Sequence, residues 1–332
     1  MKTDLSANDI QQIARGFSSA RILLTGVELN IFTLLSEEPL PAVEVVDRLK
    51  SDLRATTIFL DALTAMDLLI KKNGAYRTDP ALLPLLTTES EESILPGLRH
   101  SAHLWKTWSH LTDVVLEGGP AKREEEDRGD RVSSFIGAMH IISSRAAPDI
   151  VKAISPENAR ALIDVGGASG SYTIEFLKTV PGLRATLFDL PDVIPMARER
   201  LTEQGLIDRV SLVPGDFNED NLPGGHDLAF LSAIIHQNSP GQNLALYKNV
   251  YNALAPGGRV IVRDYAMSVD RVQPASGALF AVNMLVNTES GNSYTFEEIQ
   301  GGLEEARFER VKLLQESGMY SLVEGFKPPL GR

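Results

Sequence analysis

Apolar residues recur at helical spacing through the first part of the chain. Residues 8–36 keep this spacing until Pro39 and Pro41 interrupt it, which favours two helices there. Two further helices are predicted over 41–50 and within 54–78, the second ending in a polar Lys-Lys-Asn-Gly turn before a short strand. Helices followed by a hairpin are the order of a winged-helix module.

Many winged-helix modules bind DNA, so DNA binding is one interpretation of this half. The segment in the place of the recognition helix, 53–70, carries Arg54 but otherwise mostly apolar and acidic residues. The chain has 32 Lys and Arg against 44 Asp and Glu, and its formal charge of −12 repels a phosphate backbone. We therefore expect no nucleic-acid partner, and a packing or dimerisation role for the module.

Strands and helices alternate after residue 155. The predicted strands are 161–165, 184–189, 210–214, 227–235, 259–264, 308–316 and 319–327. The alternation predicts the α/β class, with a Rossmann-like, doubly wound and mostly parallel sheet that follows the α-helical winged-helix domain. Ligands of such sheets bind at the carboxyl ends of the strands, where the strand order reverses.

The chain accordingly divides into three predicted parts. These are a winged-helix-like domain over 1–100, a helical connector over 101–155 and the sheet domain over 156–332. Within the connector, residues 118–131 are almost entirely charged or small and have no apolar face, which predicts a solvated loop.

Composition narrows the classes of protein further. The chain of 332 residues is 43% hydrophobic and contains no cysteine, which excludes disulfides, thiolate nucleophiles and zinc-thiolate sites. The first ten residues lack the apolar core of a signal peptide, and the apolar stretch 228–235 is too short to span a bilayer. We expect a soluble, cytoplasmic protein with no membrane partner.

A glycine-rich turn follows the first predicted strand, in LIDVGGASGSY. Its spacing fails the G-x-G-x-x-G fingerprint of nicotinamide and flavin proteins in both possible registers. The turn instead places Asp164, Gly166, Ala168 and Gly170 at alternate positions. This resembles the first motif of methyltransferases that use S-adenosyl-L-methionine, with Ala168 where a third glycine is common. The alternative is a turn whose small residues only let a helix pack closely on the strand.

Carboxylates also end the next two predicted strands. Asp189 is placed to accept both hydroxyls of an adenosine ribose, and Asp216 to meet the adenine amino group while Phe217 packs on the base. An aspartate at a strand end can also serve only as a helix cap. The predicted residues for S-adenosyl-L-methionine are Asp164, Gly166, Gly167, Gly170, Asp189, Leu190, Asp216, Phe217 and Ser232.

Residues 163–265 resemble the small-molecule O-methyltransferases that include the caffeic acid, hydroxyindole and bacterial polyketide enzymes. The likeness is carried by IDVGGASGSY, LFDLPDVI, RVSLVPGDF and GGRVIVRDY, while ARGFSSARILLTGVELNIFTLLSE is similar to that family's winged-helix dimerisation domain. The resemblance implies a class I methyltransferase domain, an intertwined homodimer formed through the N-terminal domain, and a substrate cavity roofed by helices, including the connector.

Methyl transfer from a sulfonium needs positioning and a base that deprotonates the acceptor. A phenol has a pKa of about 10, and a neutral imidazole can take its proton at neutral pH. His236 follows the apolar fourth strand and matches the family's catalytic base, and Asp264 matches one of two carboxylates that hold it. Ser293 stands at the second carboxylate's position, and Gln237 and Asn238 replace the usual Asp-Trp. His236 is therefore a predicted base, or a residue that only shapes the pocket.

Other residues are predicted to contact the small-molecule acceptor. Met284 matches a family position that packs on the acceptor ring, although such a methionine is more often core, and Arg263 is a candidate contact for a carboxylate or carbonyl. The predicted acceptor contacts are Met139, His140, Asn283 and Met284. His226, in a Pro-Gly-Gly-His-Asp turn, is expected to be exposed, and no metal site is expected because no ligands converge in sequence.

Three functions remain compatible with the sequence. The first is S-adenosyl-L-methionine-dependent transfer to a hydroxyl of a small, aromatic or conjugated metabolite. The second keeps the cofactor but methylates carbon or nitrogen, or does other chemistry, without a histidine base. The third is a non-catalytic winged-helix regulator with a vestigial cofactor domain, which the net charge opposes.

Overall fold

The computed structural model describes residues 5–88, 90, 92–121, 128–316 and 320–330. The chain divides into two compact units, one of Met1–Lys106 with Asp127–Ala138 and one of Thr107–Glu126 with Met139–Arg332. Residues 122–127 of the predicted charged loop lie outside the described residues, and the end of that predicted loop, from Arg128, is helical.

The first unit contains short helices and a small antiparallel sheet. Its helices are α1 (Ala7–Arg15), α2 (Phe17–Glu28), α3 (Ile31–Leu34), α4 (Ala42–Leu49), α5 (Leu53–Ala65), α6 (Leu83–Leu86) and α7 (Leu95–Trp108). Its strands are β1 (Leu40–Pro41), β2 (Leu69–Lys72) and β3 (Ala75–Thr78), in the order β1-β3-β2. Helices α4 and α5 followed by the β2–β3 hairpin reproduce the predicted order.

Two local expectations for this unit were wrong. The apolar run 8–36 forms three helices, because Gly16 separates the first two and Asn30, with a left-handed φ of 52°, ends the second. The two lysines of the predicted turn belong to strand β2, and the turn itself is Asn73-Gly74, with φ of 51° and 80°. Asn-Gly is the pair that a two-residue hairpin turn favours, since both positions need positive φ.

The second unit is built on a seven-stranded sheet. Its helices are α8 (Leu111–Glu117), α9 (Arg128–Ile154, whose start belongs to the first unit), α10 (Ser171–Thr179), α11 (Ile194–Glu203), α12 (Pro240–Ala253), α13 (Ala275–Asn287) and α14 (Phe296–Glu305). Its strands are β4 (Ala161–Val165), β5 (Arg184–Asp189), β6 (Val210–Pro214), β7 (His226–Ser232), β8 (Leu254–Asp264), β9 (Glu309–Glu316) and β10 (Ser321–Phe326).

Strand order places the carboxyl ends of the first strands together. The order is β6-β5-β4-β7-β8-β10-β9, with β4 to β8 parallel and β9 and β10 antiparallel to their neighbours. The order reverses at β4, because β5 lies on one side of it and β7 on the other. The point where such an order reverses is the usual ligand crevice of an open α/β sheet.

Side chains of alternating direction bury both faces of this sheet. Ile163 and Val165 of β4 pack into one core, and Leu162 packs into the other with the end of α9. Burial of one such side chain contributes about 1.5–3 kcal/mol to the free energy of unfolding, so the two cores stabilise this part of the sheet. Within the described ranges, no helix is both long enough and apolar enough to cross a membrane.

His226 is buried, against the expectation that it would be exposed. His226 is the first residue of β7 and is 6% accessible. Its Nε2 lies 2.9 Å from Oγ1 of Thr186 on β5. The strand starts at His226, one residue before the predicted start at 227, and pairing with Leu254 of β8 covers His226. Burial lowers the pKa of His226, which favours the neutral ring.

Candidate active site

The glycine-rich turn joins the end of β4 to the start of α10. Gly166 has a φ of 69° and donates its N–H to the carbonyl of Phe188, 2.8 Å away. A Cβ at this position would collide with Cδ1 of Ile234, which lies beyond the end of β7. Gly170, with a φ of 80°, immediately precedes α10. Gly166 is therefore required both by its conformation and by the close approach of the next strand's connection.

Asp164 lies beneath the turn and is only 1% exposed. Its carboxylate accepts a hydrogen bond of 2.6 Å from the Thr173 hydroxyl on α10. Burial raises the pKa of Asp164 to about 7, and the nearby charge of Asp189 adds to this effect. A Cβ at Gly167 would lie 3.0 Å from the carboxylate. Asp164 thus ties the turn to the first turn of α10.

Asp189 ends β5 and faces the same turn. Its Oδ2 accepts the N–H of Ala168 at 2.7 Å, and its Oδ1 accepts the N–H of Leu190 at 2.7 Å. Burial raises the pKa of Asp189, although both backbone hydrogen bonds oppose the shift. Each carboxylate oxygen has a second acceptor site, so the group can still receive two hydroxyl donors.

Asp216 and Phe217 follow β6. Oδ1 of Asp216 accepts the N–H of Asn218 at 2.9 Å, so the carboxylate is held in a local turn. The half-buried ring of Phe217 packs against the core, and its Cε1 would lie 3.7 Å from a Cβ built on Gly166. The aromatic ring and the glycine turn therefore lie together.

His236 lies on a single 3-10 turn, Ile235–Gln237, just beyond β7. Its Nδ1 is 2.9 and 3.0 Å from the two carboxylate oxygens of Asp264 at the end of β8. Asp264 has only 3% of its side chain exposed, and its Oδ1 also accepts the N–H of Tyr265. Because a carboxylate only accepts, Nδ1 carries the hydrogen and Nε2 of the neutral ring is a proton acceptor.

Buried polar groups fix the backbone of the turn that carries His236. Asn243 of α12 donates its side-chain amide to the carbonyl of Ile235 at 2.9 Å, and Asn238 donates to Asn243 Oδ1 at 3.1 Å. The Asn292 N–H donates to the carbonyl of His236 at 2.8 Å. Asn243 was not predicted from the sequence, because it belongs to no motif. Its position in the first turn of α12, shortly after His236, was the one feature that could have indicated its role.

Ser293 does not take the place of a second carboxylate on the imidazole. Its hydroxyl donates to the carbonyl of Gly277 at 2.8 Å instead. The His236 ring packs against Phe280 of α13, with the two ring centroids 4.7 Å apart and the ring planes nearly perpendicular. One carboxylate and one aromatic ring therefore orient the imidazole.

The predicted acceptor contacts have different surroundings. Nδ1 of His140, on α9, is 2.8 Å from the Ser171 hydroxyl and 3.3 Å from that of Ser169, so this ring lies against the glycine-rich turn. Burial lowers the pKa of His140 to about 4, and the charge of Arg200 lowers it further. Met139, the residue before it, is half-buried.

The two predicted contacts on α13 are already packed or hydrogen-bonded. Asn283 Oδ1 accepts from the Trp108 indole at 2.9 Å and from the Asn287 amide at 3.0 Å. Met284 is buried, which agrees with a core methionine as well as with a wall of the cavity. Ser232, at the end of β7, accepts a hydrogen bond of 3.4 Å from Arg263. In the part of the chain that the structure describes, no three His, Asp or Glu side chains converge on a metal position.

Comparison with known proteins assigns the family. A model of the O-methyltransferase domain matches residues 108–309, and one of the O-methyltransferase dimerisation domain matches residues 11–81. The tetracenomycin polyketide synthesis 8-O-methyl transferase TcmO of Streptomyces glaucescens is 31% identical over 332 residues, which cover 96% of each chain.

Two solved structures share the fold along nearly the whole chain. PigF of a Serratia strain, solved with SAH, is 27% identical with a TM-score of 0.86, covering 97% of this chain and 100% of its own. Human N-acetylserotonin methyltransferase in complex with SAM is 26% identical with a TM-score of 0.82, covering 99% of this chain and 100% of its own.

The chain belongs to the O-methyltransferase family and is an S-adenosyl-L-methionine-dependent methyltransferase. The resemblance and the fold class predicted from the sequence are confirmed. The residues at the switch point fit this cofactor, since two strand-end carboxylates with free acceptor capacity and an aromatic ring surround the glycine turn.

Proposed function

We propose that this enzyme transfers the methyl group of S-adenosyl-L-methionine to a hydroxyl of a small, aromatic or conjugated metabolite, with His236 as the general base. The contact between His236 Nδ1 and the buried Asp264 carboxylate carries the proposal. That contact leaves Nε2 as the acceptor for the hydroxyl proton.

Bound S-adenosyl-L-methionine supplies a methyl group that its sulfonium already activates. The protein then contributes position and proton transfer. As Nε2 takes the proton from the acceptor hydroxyl, the negative charge of Asp264 stabilises the imidazolium that forms, and Phe280 restricts the ring to one orientation. For the cofactor, we propose that the Asp189 and Asp216 carboxylates receive the ribose hydroxyls and the adenine amino group.

The proposal is tested by replacing His236 with Gln, which keeps a polar side chain but cannot accept the proton as a base. We expect the rate of methyl transfer to a panel of phenols to fall about 100- to 10,000-fold. Calorimetric affinity for S-adenosylhomocysteine should stay within a factor of about two, because the imidazole is not proposed to hold the cofactor.

This experiment has two control variants. The same change at the exposed His110 should leave the rate unchanged, and Asp189→Ala should lose cofactor binding. Undiminished methyl transfer by His236→Gln would reject the base role. The second candidate function is then methylation of carbon or nitrogen, or other chemistry, without a histidine base. The position of Ser293, which leaves the imidazole with a single carboxylate, is the observation in favour of that second candidate.

We also propose a homodimer formed through the first unit. The match to a dimerisation domain over residues 11–81 supports it, and so does the surface of α1. No residue of α1 is buried, and large apolar side chains project from and beside it, among them Ile10, Ile13 and Phe17. An apolar stripe of this kind is typical of a helix that packs against another chain.

A further inference from the structure

Arg263 is held between aromatic rings at the carboxyl end of β8. Its guanidinium carbon is 5.6 Å from the ring centre of Tyr172 and 4.8 Å from that of Tyr320. Tyr172 belongs to the first turn of α10, directly after the glycine-rich turn. Because successive side chains of a strand point to opposite faces, Arg263 lies on the α10 side of the sheet and Asp264 lies on the other.

The guanidinium has no anionic partner among the residues that the structure describes. Its Nε is buried without a hydrogen-bond acceptor, and its one hydrogen bond is the long contact of 3.4 Å to Ser232. Arg259, on the same strand, differs sharply: it binds Glu324 at 2.6 Å and two backbone carbonyls. A partly buried cation is costly without a counter-charge, and aromatic rings offset only part of that cost.

A second unsatisfied donor lies beside Arg263. The Tyr172 hydroxyl is buried and makes no hydrogen bond of normal geometry with a described residue, although the Ser232 and Ser143 hydroxyls lie close to it. Burial raises the pKa of Tyr172, so the hydroxyl keeps its hydrogen at neutral pH, while the positive charge of Arg263 opposes the shift. A guanidinium, a phenol and the Ser232 hydroxyl together present donors to one place.

We propose that Arg263, Tyr172 and Ser232 form a binding site for a carboxylate. A planar guanidinium suits a carboxylate because two parallel N–H groups match its two oxygens. The site lies where β7 and β8 end, so the carboxylate comes either from the amino-acid part of S-adenosyl-L-methionine or from an acidic acceptor. This inference rests on the proposed function only for the identity of the two ligands, the cofactor and the acceptor. It does not depend on proton transfer by His236.

The first arm of the test measures binding of S-adenosylhomocysteine, which has the carboxylate, and of methylthioadenosine, which lacks it. If the cofactor supplies the carboxylate, Arg263→Met should weaken S-adenosylhomocysteine binding about tenfold or more and leave methylthioadenosine unchanged. Tyr172→Phe, which removes only the hydroxyl, should weaken the same ligand by a smaller factor. Arg160→Met, at an exposed position, controls for the change in net charge.

The second arm uses an aromatic hydroxy acid and its amide, each titrated into the enzyme saturated with S-adenosylhomocysteine. If the acceptor supplies the carboxylate, the wild type should prefer the acid about tenfold and Arg263→Met should lose that preference. Thermal melting of the variants checks folding; methionine fits between two rings, so the melting temperature should not fall. The site would be rejected if Arg263→Met weakened binding of S-adenosylhomocysteine and methylthioadenosine equally. It would also be rejected if Arg263→Met had no effect in the first arm and the wild type showed no preference for the acid in the second.

Because neither arm needs methyl transfer, this test is independent of the base. Inactivity of the enzyme toward phenols would reject the proposed function while leaving the binding comparison intact. Failure of both arms in an enzyme that methylates phenols through His236 would reject only the carboxylate site.

Discussion

Three aspartates near the ends of parallel strands have different surroundings and therefore different chemistry. Asp164 is enclosed and receives one hydroxyl, Asp189 receives two backbone N–H groups beside the turn, and Asp264 receives an imidazole. Burial raises the pKa of Asp164 to about 7, and the charge of Asp189 adds to this effect. Burial is therefore the main cause of the raised pKa of Asp164.

Asp164→Asn tests that conclusion through stability. Burial raises the pKa of Asp164 from 3.8 to about 7, so the folded state prefers the protonated carboxyl. Ionisation of Asp164 therefore lowers the unfolding free energy of the wild type. This loss is absent below pH 4, grows as the pH rises and is complete above pH 7. Asparagine keeps the acceptor for Thr173 without the charge. We expect the variant to gain about 2–4 kcal/mol of unfolding free energy relative to wild type over that interval.

Urea unfolding of the apoenzyme between pH 4 and pH 8 measures this difference. Asp113→Asn, at an exposed position on α8, should run parallel to wild type throughout. Parallel curves for Asp164→Asn as well would show that the carboxyl titrates normally in the folded protein.

The strand–turn–helix element from β4 to α10 depends on backbone conformations that favour glycine. Ala168 has a left-handed φ of 49°, although it carries a Cβ, and its N–H is held by Asp189. The left-handed region costs a residue with a Cβ about 1–2 kcal/mol. The hydrogen bond to Asp189 helps to maintain this conformation, and glycine would adopt it without that cost.

Ala168→Gly should therefore stabilise the protein, against the usual effect of this substitution. Relief of the left-handed cost exceeds the added entropy of the unfolded chain, and we expect a gain of about 0.5 kcal/mol. The same change at Ala245, exposed in the middle of α12, should instead cost about 1 kcal/mol. Denaturant unfolding of both variants gives the comparison; a loss at both positions would mean that the turn is not strained.

At the scale of the whole molecule, the apolar side of α1 sets the expected assembly. Ile13 is 71% exposed, Ile10 lies three residues earlier on the same side of α1, and the exposed Phe17 begins α2. A lone charge placed there has no counter-charge on an apolar surface, so it should oppose association.

Ile13→Glu is accordingly expected to yield monomers where the wild type forms dimers. Gln12→Glu adds the same charge to the same helix, outside the line of Ile10 and Ile13, and should leave the dimer intact. Sedimentation velocity over a range of protein concentrations measures both. A wild type that stays monomeric, or an Ile13→Glu variant that still dimerises, would place the interface elsewhere or exclude it.

Local sequence patterns alone predicted the sheet well. The first three strands of this sheet begin and end at the predicted residues. Strand β4 shows why: it is buried on both faces, so it is mostly apolar, and it stops at the glycine-rich turn. The glycine turn and the strand-end aspartates were visible for the same reason: each follows directly from a strand. His236 was found from its place after the fourth strand together with the family resemblance, and Asp264 from the resemblance alone.

Contacts between distant segments were decided only by the tertiary structure. His140 contacts the glycine turn, and Asn243 hydrogen-bonds to the turn that carries His236. Arg263 is left without an anionic partner among the described residues. These arrangements involve segments that are distant in sequence and that no hydrophobic pattern links. Sequence patterns report how each segment buries its own side chains. Which polar groups then meet depends on the order of strands in the sheet, and that order is set by packing across the whole domain.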